Sequence, residues 1–305
     1  MLKSNVTQAI EADVSILERF RSLSLWQRGS VRAPHKPLLV LLALGALARG
    51  ERSLPFAEVE MKLSELLTEF GPSRRSQHPE YPFWRLQNDG VWVVSSDQPM
   101  VARHSNSDPR LSELRASHAV GAFTPDVQAA LLKHPASIEV VARQLLEEHF
   151  PETLHRDILD AVGLSAPDLV PIHRRRRDPN FRHAVMVAYQ YRCAMCGLDL
   201  RVGSVSVGLD AAHIKWFQAL GPDVVSNGMA LCTLHHKLFD FGAVTVNYDH
   251  RVLVSEHVNG SRAVEEVLLR HHGVALSVPR RTEEHPAGEF LQWHRQEVFK
   301  ERALP

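Results

Sequence analysis

The chain has 305 residues, 44% of them hydrophobic, and its 35 basic and 35 acidic side chains cancel to a formal charge of zero. That length suits about two globular domains, and neutrality leaves nucleic-acid binding open provided that a local basic face exists. Three cysteines are too few for a disulfide framework, and the longest apolar stretch, Leu38 to Ala48, falls short of the roughly 20 residues that span a bilayer. Lys3 is followed by Ser4 and Asn5 rather than by an apolar run, so no signal peptide is expected. The reading is of a bacterial cytoplasmic protein with no membrane association.

Residues 5–22 predict a helix, with Val6, Ala9, Ile10, Val14 and Leu17 on one face. Arg32-Ala-Pro-His-Lys-Pro37 is a proline-bounded turn that opens the apolar helix 38–48. Phe56 to Phe70 predicts an amphipathic helix, stopped by Gly71-Pro72. The polar stretch 71–80 reads as a loop. Tyr81-Pro-Phe-Trp-Arg-Leu86, then Asn88-Asp-Gly90, then Val91-Trp-Val-Val94 predict a β-hairpin with a glycine turn. Helices follow at about 125–134, 136–149 and 151–162. Prolines and the run Arg174 to Arg177 mark a linker, which equally allows a DNA contact. Asp178-Pro179 then starts a new helix, with Asp as N-cap and Pro in the first turn.

Cys193-x-x-Cys196 and Cys232-x-x-His235 have the spacing of two zinc knuckles. Two ligand pairs close one tetrahedral shell and leave no position for water, which makes such a site structural. The competing reading is three buried thiols. Between the pairs, His213 follows the strand-like Leu209-Asp-Ala-Ala, Asn227 comes 14 residues later, and His236 nine after that, near the start of a helix over 235–239. Phosphodiester hydrolysis needs a base to deprotonate water and a cation to hold phosphate oxygens. Neutral imidazole suits the first role, and a metal held by His and a carboxylate suits the second.

Residues 178–250 resemble HNH (ββα-metal) endonucleases, and most closely the McrA-like branch of modification-dependent restriction enzymes. The resemblance rests on Tyr191-Arg-Cys-Ala-Met-Cys-Gly197, Ala211-Ala-His-Ile214, Ser226-Asn-Gly228 and Leu234-His-His-Lys-Leu-Phe-Asp240-x-Gly242. Phe290 to Phe299 looks like the closing helix of that branch. The resemblance implies His213 as general base, Asn227 as the residue that holds the ββα loop and orients that base, and His236 as ligand of a catalytic Mg2+ or Mn2+. Cys193, Cys196, Cys232 and His235 would hold structural Zn2+, with His235 standing where relatives often have a fourth cysteine. Many relatives carry a metal-binding Asp or His immediately before the base. Here that position is Ala212, so the second ligand passes to Asp240, one helical turn after His236, or to Asp210.

In the first 165 residues, Pro34-His-Lys-Pro37 and Tyr81-Pro-Phe-Trp-Arg-Leu86 resemble the sulfur-binding domain of phosphorothioate-dependent restriction enzymes. The resemblance implies a shallow pocket for the sulfur that replaces a non-bridging phosphate oxygen. Tyr81, Pro82 and Phe83 would form its apolar wall, and His35 and Lys36 would neutralise the remaining charge. Apolar fit alone discriminates by about 1–3 kcal/mol, so phosphate contacts from Arg32, Arg74, Arg75, Arg85 and Arg103 would supply the rest. The bland alternative keeps His35 as a helix cap and residues 81–84 as hairpin core.

The expected fold class is α+β in two domains. Residues 1–165 form a helix-rich sulfur-binding domain with a small β-hairpin or sheet, 166–177 a linker, and 178–305 an HNH domain with structural zinc. The expected partner is double-stranded DNA carrying phosphorothioate, and a homodimer is left open. Two rivals are a nuclease that reads methylated or hydroxymethylated cytosine, with Trp84 and Trp92 receiving a flipped base, and a non-catalytic zinc-containing DNA-binding protein.

Overall fold

The structure, a computed structural model, describes residues 17–25, 31–98, 108–164 and 178–305. Most of the helix expected over 5–22, together with Arg103 and the linker arginines 174–177, lies outside the described residues. The chain divides into two compact units. Among the described residues, one takes 17–25, 33–98, 108–150 and 155–164, and the other takes 31–32, 151–154 and 178–305.

The first unit is built around α1 (His35–Ala48), in which every residue from Pro37 to Leu47 is buried. A helix apolar on all sides belongs inside a protein. It begins three residues before the apolar run, since Pro37 is tolerated in a first turn. Helix α2 (Phe56–Phe70) buries Phe56, Val59, Leu63, Leu66, Leu67 and Phe70 and stops at Gly71, as the spacing predicts. Gly45 lets α1 approach the end of a later helix closely: a Cβ there would lie 2.0 Å from the Val162 carbonyl oxygen.

The expected hairpin is corrected. Residues 80–85 form a helix, α3 (Glu80–Arg85), continued by a 3-10 turn at Leu86–Asp89. Pro82, Phe83 and Leu86 are buried, which is helical spacing. A strand would also have placed Pro82 where it cannot donate to a ladder. Strand β2 (Trp92–Ser95) pairs instead with β3 (Val120–Phe123), which also pairs with β1 (Leu54–Pro55), giving an antiparallel sheet of order β1-β3-β2. Gly121 in β3 is required by packing, because a Cβ would meet the Trp92 ring at 2.2 Å and Phe83 at 2.7 Å. Helices α4 (Leu111–Ala116), α5 (Pro125–Lys133), α6 (Ala136–His149) and α7 (Glu152–Val162) complete the series.

Lys36 is also reassigned. Its ammonium donates to Asp89 Oδ2 and to the Ser24 carbonyl at 2.7 Å, while Asp89 Oδ1 accepts the Ser24 N–H at 2.7 Å. The side chains are only 12% and 2% exposed. The charge expected to face a phosphate is committed to an internal brace.

The second unit opens with α8 (Pro179–Ala188), capped by Asp178, whose carboxylate accepts the Asn180 N–H. A short ribbon, β4 (Arg201–Val202) and β5 (Val205–Ser206), leads into β6 (Leu209–His213). Strand β6 pairs antiparallel with β7 (Gly228–Cys232), and β7 runs directly into α9 (Thr233–Asp240). Strands β8 (Val244–Val246) and β9 (Val252–Val254), helix α10 (Arg262–Val267) and helix α11 (Gly288–Glu297) follow. His294 of α11 is wholly buried, bonded to Thr245 Oγ1 at 2.9 Å and to the Phe239 carbonyl at 3.0 Å, with its ring stacked 3.6 Å from Phe239. It ties the closing helix to the end of α9. No helix among the described residues is long and apolar enough to cross a membrane.

The Lys36 brace and the buried histidines each have a measurable consequence. Lys36→Ala leaves the Asp89 carboxylate buried without its partner, which should cost about 3–5 kcal/mol of stability; denaturant midpoints check it. Burial holds His35 and His149 down at about 4 and His294 at about 3. These histidines stay neutral in the folded chain and take up protons in the unfolded one. Stability should therefore fall as pH drops from about 6.5 toward 4, with each histidine contributing up to about 1.4 kcal/mol per pH unit. Thermal midpoints measured across that window should decline monotonically.

Candidate functional site

Cys193, Cys196, Cys232 and His235 converge so that their ligand atoms all lie within 4.8 Å of one another. His235 Nδ1 is 3.2 Å from Cys232 Sγ and 3.6 Å from Cys193 Sγ. Its other nitrogen, Nε2, donates to the Val267 carbonyl at 3.0 Å. That outer contact fixes the ring so that Nδ1 faces the sulfurs, the usual support of a metal-binding imidazole. Hydrogen bonds from Cys196 and Cys232 hold the Cys193 thiol far below its ordinary value. The donor set fits a tetrahedral Zn2+ with three sulfurs and one nitrogen.

Adjacent residues on α9 point about 100° apart, so His236 leaves this cluster for a different face. Its Nε2 lies 3.3 Å from Asp240 Oδ2 and its Nδ1 3.6 Å from Asp210 Oδ2. Both carboxylates weighed as the second ligand therefore flank the same imidazole. They differ in environment. Asp240 is 2% exposed, accepts a hydrogen bond from Thr153 Oγ1, and is pushed upward in pKa by burial. Asp210 is 47% exposed and is lowered by its hydrogen bond with His236.

His213 ends β6 opposite Gly228. Its ring stacks on Phe181 of α8 at 4.2 Å, and its Nε2 is 2.7 Å from Asp223 Oδ1. Asn227 is wholly buried, and its amide is bonded to backbone. Its Oδ1 accepts the Lys215 N–H at 2.8 Å, and its Nδ2 donates to the carbonyls of Lys215 and Pro222 at 3.0 and 2.9 Å. It staples the loop between β6 and β7. Sequence reasoning misses Asp223; the turn Gly221-Pro222-Asp223 between the two motif residues is the only sequence signal for it.

In the first unit, His35, Arg74, His78, Tyr81 and Arg85 form one surface. His35 is held at about 4 by burial, with Arg74 and His78 adding repulsion, so in the free chain the imidazole is neutral at pH 7. Tyr81 is 40% exposed; its ring stacks on His78 at 5.1 Å and lies beneath the Arg85 guanidinium at 5.0 Å. His78 is steadied by Ser76 Oγ at 2.9 Å and Glu80 at 3.0 Å. Arg85 pairs with Asp108. Sequence reasoning also misses His78 and Glu80, because 71–80 reads only as a polar loop. Pro82 and Phe83 do not join this surface: both are buried, and Phe83 packs 4.9 Å from Phe56. Arg32 lies in the second unit, 4.0 Å over the Trp216 ring and bonded to the Glu297 carbonyl at 2.9 Å. Arg74 and Arg75 are exposed.

Two family profiles match the chain. "ScoMcrA-like, DNA sulfur-binding domain" matches residues 13–167, just over half of the sequence, and "HNH endonuclease" matches residues 193–247. Similar solved structures include the sulfur-binding domain of ScoMcrA complexed with phosphorothioated DNA, at 23% identity and TM-score 0.43, covering 48% of this chain and 94% of that one. The corresponding SprMcrA domain, also complexed with phosphorothioated DNA, has 25% identity and TM-score 0.40, covering 50% and 94%. The modification-dependent TagI restriction endonuclease has 23% identity and TM-score 0.30, covering 45% and 41%. No curated protein matches the chain. With a helix-rich first unit that matches the one profile and a β6–β7–α9 metal-type site within the other, the chain belongs to the ScoMcrA-like DNA sulfur-binding domain family and carries an HNH endonuclease domain over residues 193–247.

Proposed function

We propose that this protein recognises phosphorothioated duplex DNA through its first unit and hydrolyses a nearby phosphodiester with its second. The observation that carries the reading is the joining, in one chain, of a DNA sulfur-binding domain with an HNH domain in which His213 ends β6, Asn227 lies in the turn before β7 and His236 lies on α9. Phosphorothioate sulfur is larger, softer and less hydrated than oxygen. The recognition surface suits it: an exposed Tyr81 ring and a neutral His35 imidazole offer polarisable, weakly hydrated faces. Arg74 and Arg85 supply charge for the phosphate. Tyr81 is presented by the stack on His78, which Glu80 holds in turn.

In the second unit His213 acts as general base toward water. Asn227 holds the loop that follows it. His236 and Asp210 are the residues that would hold a catalytic Mg2+ or Mn2+, because Asp210 is ionised and half-exposed where a hydrated cation can reach it. Asp240, sealed from solvent, orients His236 rather than meeting the ion itself. The chemistry such an ion supplies is neutralisation of charge on the phosphate and on the departing oxygen. The Cys193, Cys196, Cys232 and His235 cluster takes Zn2+ and sets the start of α9. The rival that flips a modified cytosine into an aromatic cage is disfavoured by Trp92, which is 3% exposed and packed against Phe83 and Phe123.

The test uses matched phosphorothioated, methylated and plain duplexes with Mg2+ or Mn2+. The full chain should bind and cut the phosphorothioated duplex in preference, and only one of the two phosphorus configurations should be accepted. Equal handling of modified and plain DNA would sink the reading. Tyr81→Ala should lower the sulfur preference by about 10- to 200-fold, the range of an apolar fit. His213→Ala should abolish cutting while leaving the dissociation constant within about 3-fold, a margin of less than 1 kcal/mol. Metal analysis should find about one zinc per chain, and Cys193→Ser should unfold the second unit, since the binding energy of structural zinc is folding energy. A zinc-free, folded and active preparation would contradict the cluster's role.

A further inference from the structure

Contacts of different kinds hold His213, and they constrain different things. Phe181 stacks on one face of the ring at an interplanar angle of 19°, which fixes the plane and not the direction of the nitrogens. The backbone of β6 fixes the Cα. Asp223 distinguishes the two nitrogens, with Oδ1 at 2.7 Å from Nε2. Asp223 is itself held from two sides. Its second oxygen accepts the backbone N–H of Asp178 at 2.7 Å, at the N-cap of the helix that also delivers Phe181. Its place in the chain, between Pro222 and Asn227, is set by the Asn227 amide bonded to the Pro222 carbonyl. Both side chains are largely withdrawn from solvent, at 11% and 14% exposure, so bulk water does not screen the pair strongly.

On the proposed reading of His213 as general base, we infer that Asp223 is the positioning residue for that base. Its carboxylate accepts the Nε2–H, which fixes the tautomer and keeps the lone pair on Nδ1. In the reaction the attacking water passes one proton to Nδ1, and its oxygen forms the new bond to phosphorus. The bond from phosphorus to the leaving oxygen breaks, and that oxygen takes a proton from solvent. The imidazolium so formed carries a positive charge beside Asp223, which stabilises it until Nδ1 returns its proton to water. Asp223 touches neither substrate nor water in this scheme. Asn227 and Asp223 thus have complementary parts, since the amide holds the loop and the carboxylate on that loop aims the ring.

The experiment compares full-length wild type, Asp223→Asn, Asp223→Glu and His213→Ala on a phosphorothioated duplex. It records dissociation constant, single-turnover cleavage rate against pH, zinc content and thermal midpoint. Asp223→Asn should keep binding and zinc while the rate falls by about 10²- to 10³-fold, within the range of general-base contributions. Loss of a negative charge lowers the pKa of the adjacent imidazole, so the acid limb of the rate profile should move to lower pH. A purely structural role for Asp223 would lower the thermal midpoint and leave that limb in place. Asp223→Glu retains the charge on a longer arm; its rate should fall by about 10-fold or more with the acid limb unmoved, and it serves if the asparagine variant folds poorly. The inference is overturned if Asp223→Asn or Asp223→Glu cuts at the wild-type rate with an unmoved limb while His213→Ala is inactive. Normal cutting by His213→Ala would instead overturn the base assignment on which the inference rests.

Discussion

The sulfur of Cys232 stands at the junction on which the nuclease unit depends. Cys232 is the last residue of β7, paired across to Leu209 at the first residue of β6. Its Sγ also caps α9 by accepting the His235 N–H at 3.5 Å, and it belongs to the four-ligand cluster. One residue therefore ends the strand, starts the helix and anchors both to a metal-type site. Because α9 begins there, His235 points inward to the cluster, where it is 3% exposed. His236, one step on, must then point toward Asp210 and Asp240. The Cys193, Cys196, Cys232 and His235 cluster and the His236 imidazole with its two carboxylates share a helix and are separated by a single residue's rotation.

The same economy governs the support of the site from behind. His294 donates to the carbonyl of Phe239, the residue before Asp240, and stacks on its ring. A buried neutral histidine satisfies two polar partners there without bringing a charge into the core. Gly242 stands at φ +76°, and a Cβ there would meet the Val298 carbonyl oxygen at 2.1 Å. The motif's glycine is thus required where the chain leaves α9 and passes under the closing segment.

In the first unit the decisive constraint is apolar. α1 is buried from Pro37 to Leu47, so its solvent-facing side chains lie only at its two ends. That arrangement sorts the residues of the two motif elements. His35 and Tyr81 reach the surface, while Lys36 turns to Asp89, and Pro82 and Phe83 turn to the core. A cation in the motif is committed to holding the fold, while Arg74 lies near His35 and Arg85, paired with Asp108, lies over the Tyr81 ring.

What is legible in the chain divides along a physical line. The sequence by itself determined what depends on residue type and short spacing: the clustering of Cys193, Cys196, Cys232 and His235, the strand before His213, the helix stopped at Gly71, and the Asp178 cap. It misled over Tyr81 to Leu86, where aromatic residues suggest β structure although Pro82 and the spacing of Phe83 and Leu86 fit a helix. Only the tertiary structure decided which of two carboxylates is solvent-facing, that Lys36 is internally paired, that His35 is neutral, and that Asp223 contacts the His213 ring while the Asn227 amide holds backbone. Each of those depends on burial or on contact between segments distant in sequence. Desolvation and ion pairing are properties of the packed surroundings, and no local pattern of residues encodes them.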